Sequence, residues 1–126
     1  MATFEPAQTY DEIGDLLATF PETVGAPAAR LVDLILALRP DLIASARPGW
    51  GSVNFRHRQA GDVCGVFPMR DEILLSFEHG RLLDNSAGLL EGDGLKRVRF
   101  LRLAPDSEFP PGELGLLLAE AVAVKS

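Results

Sequence analysis

The chain has 126 residues, of which 47% are apolar and 24% are charged, values typical of one globular domain spanning 1–126 around a single hydrophobic core. Its 12 basic and 18 acidic residues leave a formal net charge of −6, which disfavours generic binding to the phosphate backbone of nucleic acids. With one cysteine, no signal-peptide pattern and no apolar run of membrane-spanning length, the sequence predicts a cytoplasmic protein without an internal disulfide or a membrane segment.

Two amphipathic helices are predicted before residue 40. The first covers residues 9–20, with Thr9 as N-cap, Glu12 completing a capping box and Pro21 ending the helix. The second begins at about Pro27 and is closed by Pro40. Each shows an apolar stripe at the spacing of a buried helix face, formed by Ile13, Leu16, Leu17 and Phe20 in the first helix and by Leu31, Leu34, Ile35 and Leu38 in the second.

From residue 42 to 103 the apolar period becomes two, which predicts strands. Five segments fit: LIASAR (42–47), SVNFRHR (52–58), DVCGVFP (62–68), EILLSFEH (72–79) and KRVRFLRL (96–103). The short connections between the middle three favour antiparallel hairpins, whereas the long connection 80–95 is expected to be functional or locally structured. Residues 112–125 predict a C-terminal helix with Leu114, Leu117, Leu118 and Ala121 on one face. The predicted fold class is therefore α/β in the α+β sense: two N-terminal helices, an antiparallel sheet of about five strands and a closing helix.

Hairpin turns at 58–61 and at 69–70 would give the middle strands one shared apolar face. The first turn pairs His57 with Asp62, Phe55 with Cys64 and Val53 with Val66. The second pairs Val66 with Ile73, Cys64 with Leu75 and Asp62 with Phe77.

Polar residues collect at one end of that face, where this register places His57, Asp62 and His79. A carboxylate beside a histidine orients the ring and prepares a general base or a metal ligand. The same residues at a hairpin mouth can instead only hydrogen-bond the turn. Cys64 could join them as a zinc ligand, but the spacing matches no zinc motif and a small buried hydrophobe is favoured.

Two further features flank the sheet. Trp50 lies between two glycines in a turn that Pro48 starts, and it is expected to fold over the sheet, either as a lid on a pocket or, as favoured, as part of the core. The segment LKRVRFLRL, which includes Arg99, either forms an anion site beside the turn GLLEGDG or is a solvated face whose arginines pair with Glu72, Glu78 or Asp93.

The first helix carries Asp11, Glu12 and Asp15. A row of carboxylates can hold a hard cation through oxygen ligands. Near the start of a helix the same acids interact favourably with the helix dipole, and this second interpretation is favoured here.

The order of these pieces resembles the YdhG-like family, a widespread bacterial domain of unknown function. The resemblance is carried by TYDEI, PGWGSVNFR, CGVFPMRDEILLSFEHG and GLLEGDGLKRVRFLRL, followed by the C-terminal helix. It implies an α/β fold similar in outline to frataxin. Some relatives are described as iron chaperones for cluster assembly, and the acidic face of the first helix, here Asp11, Glu12 and Asp15, is the implied iron-binding surface.

The sequence thus favours a non-enzymatic cytoplasmic module, monomeric or homodimeric, that binds a small ligand or a protein partner. The expected ligand-binding residues are Trp50, His57, Asp62, His79 and Arg99. One alternative is a frataxin-like iron-binding chaperone, and iron is the only cofactor expected. A second alternative is a small hydrolase or transferase that uses His57 and Asp62.

Overall fold

The computed structural model describes residues 6–84 and 88–124, with side chains described from residue 12 onward. It confirms the predicted α+β class, with helices before and after a five-stranded antiparallel sheet. The elements are α1 (Pro6–Leu17), α2 (Glu22–Leu38), β1 (Leu42–Arg47), β2 (Ser52–His57), β3 (Gly61–Pro68), β4 (Ile73–Phe77), β5 (Arg99–Leu103) and α3 (Pro111–Ala123).

The sheet is a meander in which each strand pairs with its neighbour in the chain, in the order β1-β2-β3-β4-β5. Alternate residues of the strands form an inner face that packs against the three helices, because the apolar residues of the five strands are concentrated on that face. The fully buried residues at this interface include Val53, Phe55, Val66, Leu75 and Phe77 from the strands and Leu31, Ile35, Leu114 and Leu118 from the helices. Among the described residues, no helix covers the other face of the sheet, here called the outer face.

Helix α1 begins earlier than predicted. Its first residue is Pro6, which suits the first helical position because the fixed φ of proline is already helical. Thr9 is therefore not the N-cap, and Glu12 and Asp15 lie beyond the first turn, which contains no acidic residue. The favoured interpretation of these acids as helix-dipole partners is consequently wrong.

Helix α2 also starts earlier, at Glu22, so that Pro27 lies inside it and is buried. Pro27 forgoes a hydrogen bond to the carbonyl of Thr23, but the preceding turn is secured by the amides of Val24 and Gly25, which both donate to the carbonyl of Pro21. Burial of Pro27 in the core offsets the lost bond, and this tertiary effect cannot be read from local propensity.

The first hairpin has the predicted register only in part. Val53 pairs with Val66 and Phe55 with Cys64, but a bulge follows, so that Arg56 rather than His57 lies opposite Asp62. The extra residue in β3 is Val63, which is buried. A bulge of this kind turns the chain beyond it, so the predicted pairing of His57 with Asp62 is wrong.

The second hairpin is shifted by two residues from the predicted register. Its turn is longer than expected, and the amide of Met69 donates to the carbonyl of Glu72 at 2.8 Å. Val66 therefore faces Leu75 and Cys64 faces Phe77. Because the shift is even, the side chains of β4 keep their predicted faces. The bulge at Val63, in contrast, moves Asp62 from the predicted apolar face to the other face of the sheet.

The connection between β4 and β5 is locally structured where it is described. It contains a 3₁₀ turn at Gly80–Leu82, and Glu91 forms an isolated antiparallel bridge with Phe100. This bridge covers part of the β5 edge of the sheet.

Candidate functional site

Trp50 is 67% exposed, so the favoured prediction that it belongs to the core is wrong. It lies in the turn between β1 and β2, where Gly51 adopts a φ of +64° and the amide of Trp50 donates to the carbonyl of Arg47. The guanidinium carbon of Arg47 lies 5.8 Å from the indole centroid. The turn thus presents the indole beside the outer face instead of inserting it under the helices.

The outer face contains a small concavity centred on Gly65, here called the outer-face hollow. In the sheet register Asn54, Gly65 and Ser76 lie side by side on three neighbouring strands. A space of about 60 Å³ lies beside Gly65. Its borders are formed by Trp50, Asn54, Asp62, Cys64, Gly65, Phe67, Ser76 and Glu78.

The two ends of the outer-face hollow differ in chemistry. Trp50 and Phe67 form an aromatic end, and a Cβ placed on Gly65 would lie 3.0 Å from Cε1 of Phe67. Asp62 and Glu78 form an acidic end on the far side of Gly65. Nη2 of Arg97 approaches Oε1 of Glu78 to only 3.9 Å, and within the described part of the chain the Asp62 carboxylate makes no ion pair or hydrogen bond.

Between these ends lie neutral hydrogen-bonding groups. The hydroxyl of Ser52, which is buried, donates to Oδ1 of Asn54 at 2.8 Å. Oδ1 of Asn54 would lie 3.1 Å from a Cβ on Gly65, so this oxygen borders the space directly. The hydroxyl of Ser76 lines the opposite side.

His57 has a different carboxylate partner from the one predicted. Nδ1 of His57 accepts the amides of Gln59 at 3.2 Å and Ala60 at 3.0 Å, so Nε2 carries the proton and donates to Oδ2 of Asp41 at 3.1 Å. Arg39 donates to both oxygens of Asp41, and this hydrogen bonding is the main reason why the pKa of Asp41 is lowered. His57 therefore closes the β2–β3 turn and ties it to the start of β1.

Arg99 is engaged by the loop that precedes it. Its Nη1 donates to the carbonyls of Leu95 at 3.0 Å and Val98 at 2.8 Å, and its Nε lies 3.7 Å from Asp93. His79 directly precedes the 3₁₀ turn, whose Gly80 packs against the backbone of Arg99. Of the five predicted ligand-binding residues, Trp50 and Asp62 border one space, whereas His57, His79 and Arg99 lie elsewhere.

The basic segment around β5 forms the predicted ion pairs. Arg102 pairs with Glu72 and, at 3.2 Å, with Glu91, in addition to the contacts of Arg97 and Arg99 given above. The arginines at 97, 99 and 102 each lie beside a carboxylate, which favours the surface-pairing interpretation of this segment over an anion site.

Of the three predicted metal ligands, the structure describes the side chains of Glu12 and Asp15. Glu12 and Asp15 are exposed and border a shallow depression with Thr19 and Pro48, and the side chain of Asp11 lies outside the described residues. Among those residues no group of three or more His, Cys, Asp or Glu side chains could hold a metal ion. Cys64 is fully buried, and burial raises the pKa of its thiol.

A depression of about 600 Å³ is an open groove on another part of the surface. It lies between the first half of α2 and the β3–β4 turn, and its charged borders are Glu22, Arg30, Arg70, Asp71 and Asp106. These charges are of mixed sign and the five residues are exposed, so the groove has the chemistry of ordinary protein surface.

Sequence reasoning missed Asn54, Gly65, Phe67, Ser76 and Glu78. A signal was present, since residues 54, 65 and 76 alternate with the apolar residues of their strands and a glycine interrupts the row. To align residues 54, 65 and 76 as neighbours, one has to know both the bulge at Val63 and the true length of the second turn, and neither could be read from the sequence pattern.

Comparisons with models of protein families, with curated proteins and with solved structures each return no match. Among the described residues no helix combines the length and the apolar character needed to cross a bilayer.

Proposed function

We propose that this chain is a non-enzymatic cytoplasmic binding module that takes a small ligand, or one side chain of a partner protein, into the outer-face hollow. The observation that carries the proposal is the position of Trp50, which is two-thirds exposed and borders a concavity lined by neutral and charged polar groups. Binding sites commonly combine apolar walls with a few convergent polar groups.

Exposure of Trp50 supports the proposal, because an exposed indole retains a large apolar surface that a bound ligand could remove from water. Tryptophan and arginine are the residue types most enriched among energetically dominant contacts, and here Arg47 lies over the indole. The stacked pair would lose little conformational freedom when a ligand covers it.

A binding role also fits the state of the potential catalytic groups. Both ring nitrogens of His57 are engaged by the turn and by Asp41, and burial keeps the Cys64 thiol protonated. A general base requires a free nitrogen within reach of substrate, and a nucleophilic cysteine requires an accessible thiolate.

Trp50 is the only tryptophan in the chain, so its fluorescence reports directly on the outer-face hollow. The test is a panel of amines, carboxylic acids, nucleotides, Fe(II) and Zn(II), followed by Trp50 emission and by thermal melting. A ligand at about 100 times its Kd should stabilise the protein by about 2.7 kcal/mol, or roughly 8 °C at this chain length.

Gly65→Ala and Gly65→Val fill the space progressively and should abolish the response. Leu116→Ala is the matched control, because Leu116 is 75% exposed on α3, away from the sheet. A panel without any response, or responses that survive Gly65→Val in a folded protein, would contradict the proposal. A response to Fe(II) alone would favour the iron-chaperone alternative.

A further inference from the structure

We infer that the outer-face hollow recognises a primary ammonium group carried on an alkyl chain, such as the end of a lysine side chain or a free alkylamine. This inference rests on the proposed function and adds the chemical class of the ligand. The geometry that carries it is the juxtaposition of two carboxylates, two neutral oxygen acceptors and two aromatic rings around one glycine.

The acidic end supplies charge that the protein neutralises only weakly. Asp62 makes no ion pair within the described residues, and the Arg97–Glu78 contact is long and joins side chains that are 60% and 44% exposed. Solvent-exposed ion pairs of this kind contribute little free energy to stability. Within the described part of the chain, a cation that binds in this space would therefore displace no protein cation from Asp62 and only a weak ion pair from Glu78.

The neutral groups match the donors of an ammonium, which has three N–H donors and no acceptor. Oδ1 of Asn54 is held in place as an acceptor because the Ser52 hydroxyl already donates to it, and an amide oxygen accepts a second hydrogen bond. The hydroxyl oxygen of Ser76 accepts from the other side. Anionic ligands would meet carboxylates and an acceptor oxygen, so this lining selects against them.

The aromatic end suits an alkyl stem. Trp50 and Phe67 offer apolar surface on the side of Gly65 opposite the carboxylates, and Arg47 already lies over the indole as a cation. The ligand charge is thus directed to Asp62 and Glu78, while its methylene groups pack against the rings. Lysine-like chains combine an apolar stem with a charged head in this way.

The size of the space limits the ligand further. About 60 Å³ is several times the minimum for one water molecule and admits an ammonium with its nearest methylene groups. A nucleotide or a sugar ring needs the several hundred Å³ of ordinary ligand pockets.

One protein cation could compete with the ligand. Arg56 lies opposite Asp62 in the sheet register, at a spacing that side chains can bridge, although no ion pair joins them in this structure. Removing this charge should favour an incoming ammonium and would disfavour an anion. Arg56→Gln therefore reports the sign of the ligand charge.

The experiment titrates the full-length protein with Nα-acetyl-lysine amide and with 1,5-diaminopentane, using Trp50 emission and backbone amide NMR shifts of residues 54, 65 and 76. Nα-acetyl-norleucine amide has a similar stem without the charge and is the ligand control. We expect saturable binding of both amines and none of the norleucine compound. Asp62→Asn with Glu78→Gln should weaken binding about tenfold or more, and Arg56→Gln should strengthen it.

The matched control variant is Asp33→Asn with Glu113→Gln, which removes the same charge from exposed positions on α2 and α3 and should leave affinity unchanged. Tighter binding of the lysine compound would indicate a protein side chain as ligand, and equal or tighter binding of the diamine would indicate a free amine.

Four outcomes would overturn the inference. Equal binding of the norleucine compound would show an apolar site, in which case the proposed function stands. Binding of carboxylic acids or nucleotides but not of amines, abolished by Gly65→Val, would overturn the inference and leave the proposed function standing. Amine binding that the Asp62 and Glu78 changes leave intact would place the amine elsewhere, and absence of any binding would overturn both proposals.

Discussion

Asp41 receives two side chains, the guanidinium of Arg39 and the ring of His57, and so joins the end of α2 to the β2–β3 turn through one carboxylate. The bidentate contact with Arg39 has the planar geometry that makes such pairs directional. Arginine, aspartate and histidine are common in catalytic sites, but in this cluster they connect and stabilise two parts of the fold. His57 stabilises the β2–β3 turn, because its Nδ1 accepts hydrogen bonds from two backbone amides of that turn.

A pH dependence follows from Asp41, whose pKa is lowered from its ordinary value of 3.8, first by the Arg39 hydrogen bond. A carboxyl with a lower pKa in the folded state contributes stability above the unfolded value and loses it as pH falls through the folded value. Asp41→Asn should therefore reduce the free energy of unfolding at pH 7 and make it less sensitive to acid below about pH 4. Because Asp41 is 45% exposed, screening limits the loss at pH 7 to about 0.5 kcal/mol.

Urea denaturation at several pH values measures this effect. Asp106→Asn is a suitable control, since Asp106 is exposed and forms no ion pair among the described residues. Parallel pH profiles for wild type and Asp41→Asn would contradict the assignment.

The packing of α1 against α2 depends on a close approach at Gly25. A Cβ at this position would lie 2.6 Å from the carbonyl oxygen of Leu17, which is backbone and cannot rotate away. Gly25→Ala should destabilise the protein by about 1 to 3 kcal/mol because the helices must separate. Thermal melting measures the loss, at roughly 3 °C per kcal/mol for a domain of this size.

Gly14 provides the matched control for this prediction. It lies inside α1, and no atom of the described part of the chain lies within 4 Å of an added Cβ, so Gly14→Ala should raise stability by about 0.5 to 1 kcal/mol through helix propensity. Opposite signs for the two glycines would support the packing argument. Similar changes in melting temperature for both variants would show that helix propensity alone determines the effect of each substitution.

The iron alternative belongs to the acidic surface of α1. It predicts that Fe(II), added anaerobically, stabilises the wild type and that Asp11→Asn with Asp15→Asn removes the effect. The ligand-binding proposal predicts that this double variant responds to ligands like wild type. Melting curves with Fe(II), with Mg(II) as the control cation, separate the two.

At the scale of the whole molecule, the element types, the order of the elements and the apolar faces could be predicted because they depend on local periodicity. The two hairpin registers could not, since Val63 as a bulge and the length of the turn at 69–72 depend on how the strands meet in three dimensions. The outer-face hollow was beyond reach for the same reason, because it needs three strands in their true register. Trp50 was misplaced because the burial preference of tryptophan says nothing about a turn that points away from the helices.

The meander has a consequence for how the chain folds. Since each strand pairs only with its neighbour in sequence, most of the sheet forms through short loops whose closure entropy is small. The packing of α3 against α2 brings together segments from the two ends of the chain. That docking closes a much longer loop than any hairpin of the sheet, so we expect its cost in chain entropy to exceed that of pairing neighbouring strands.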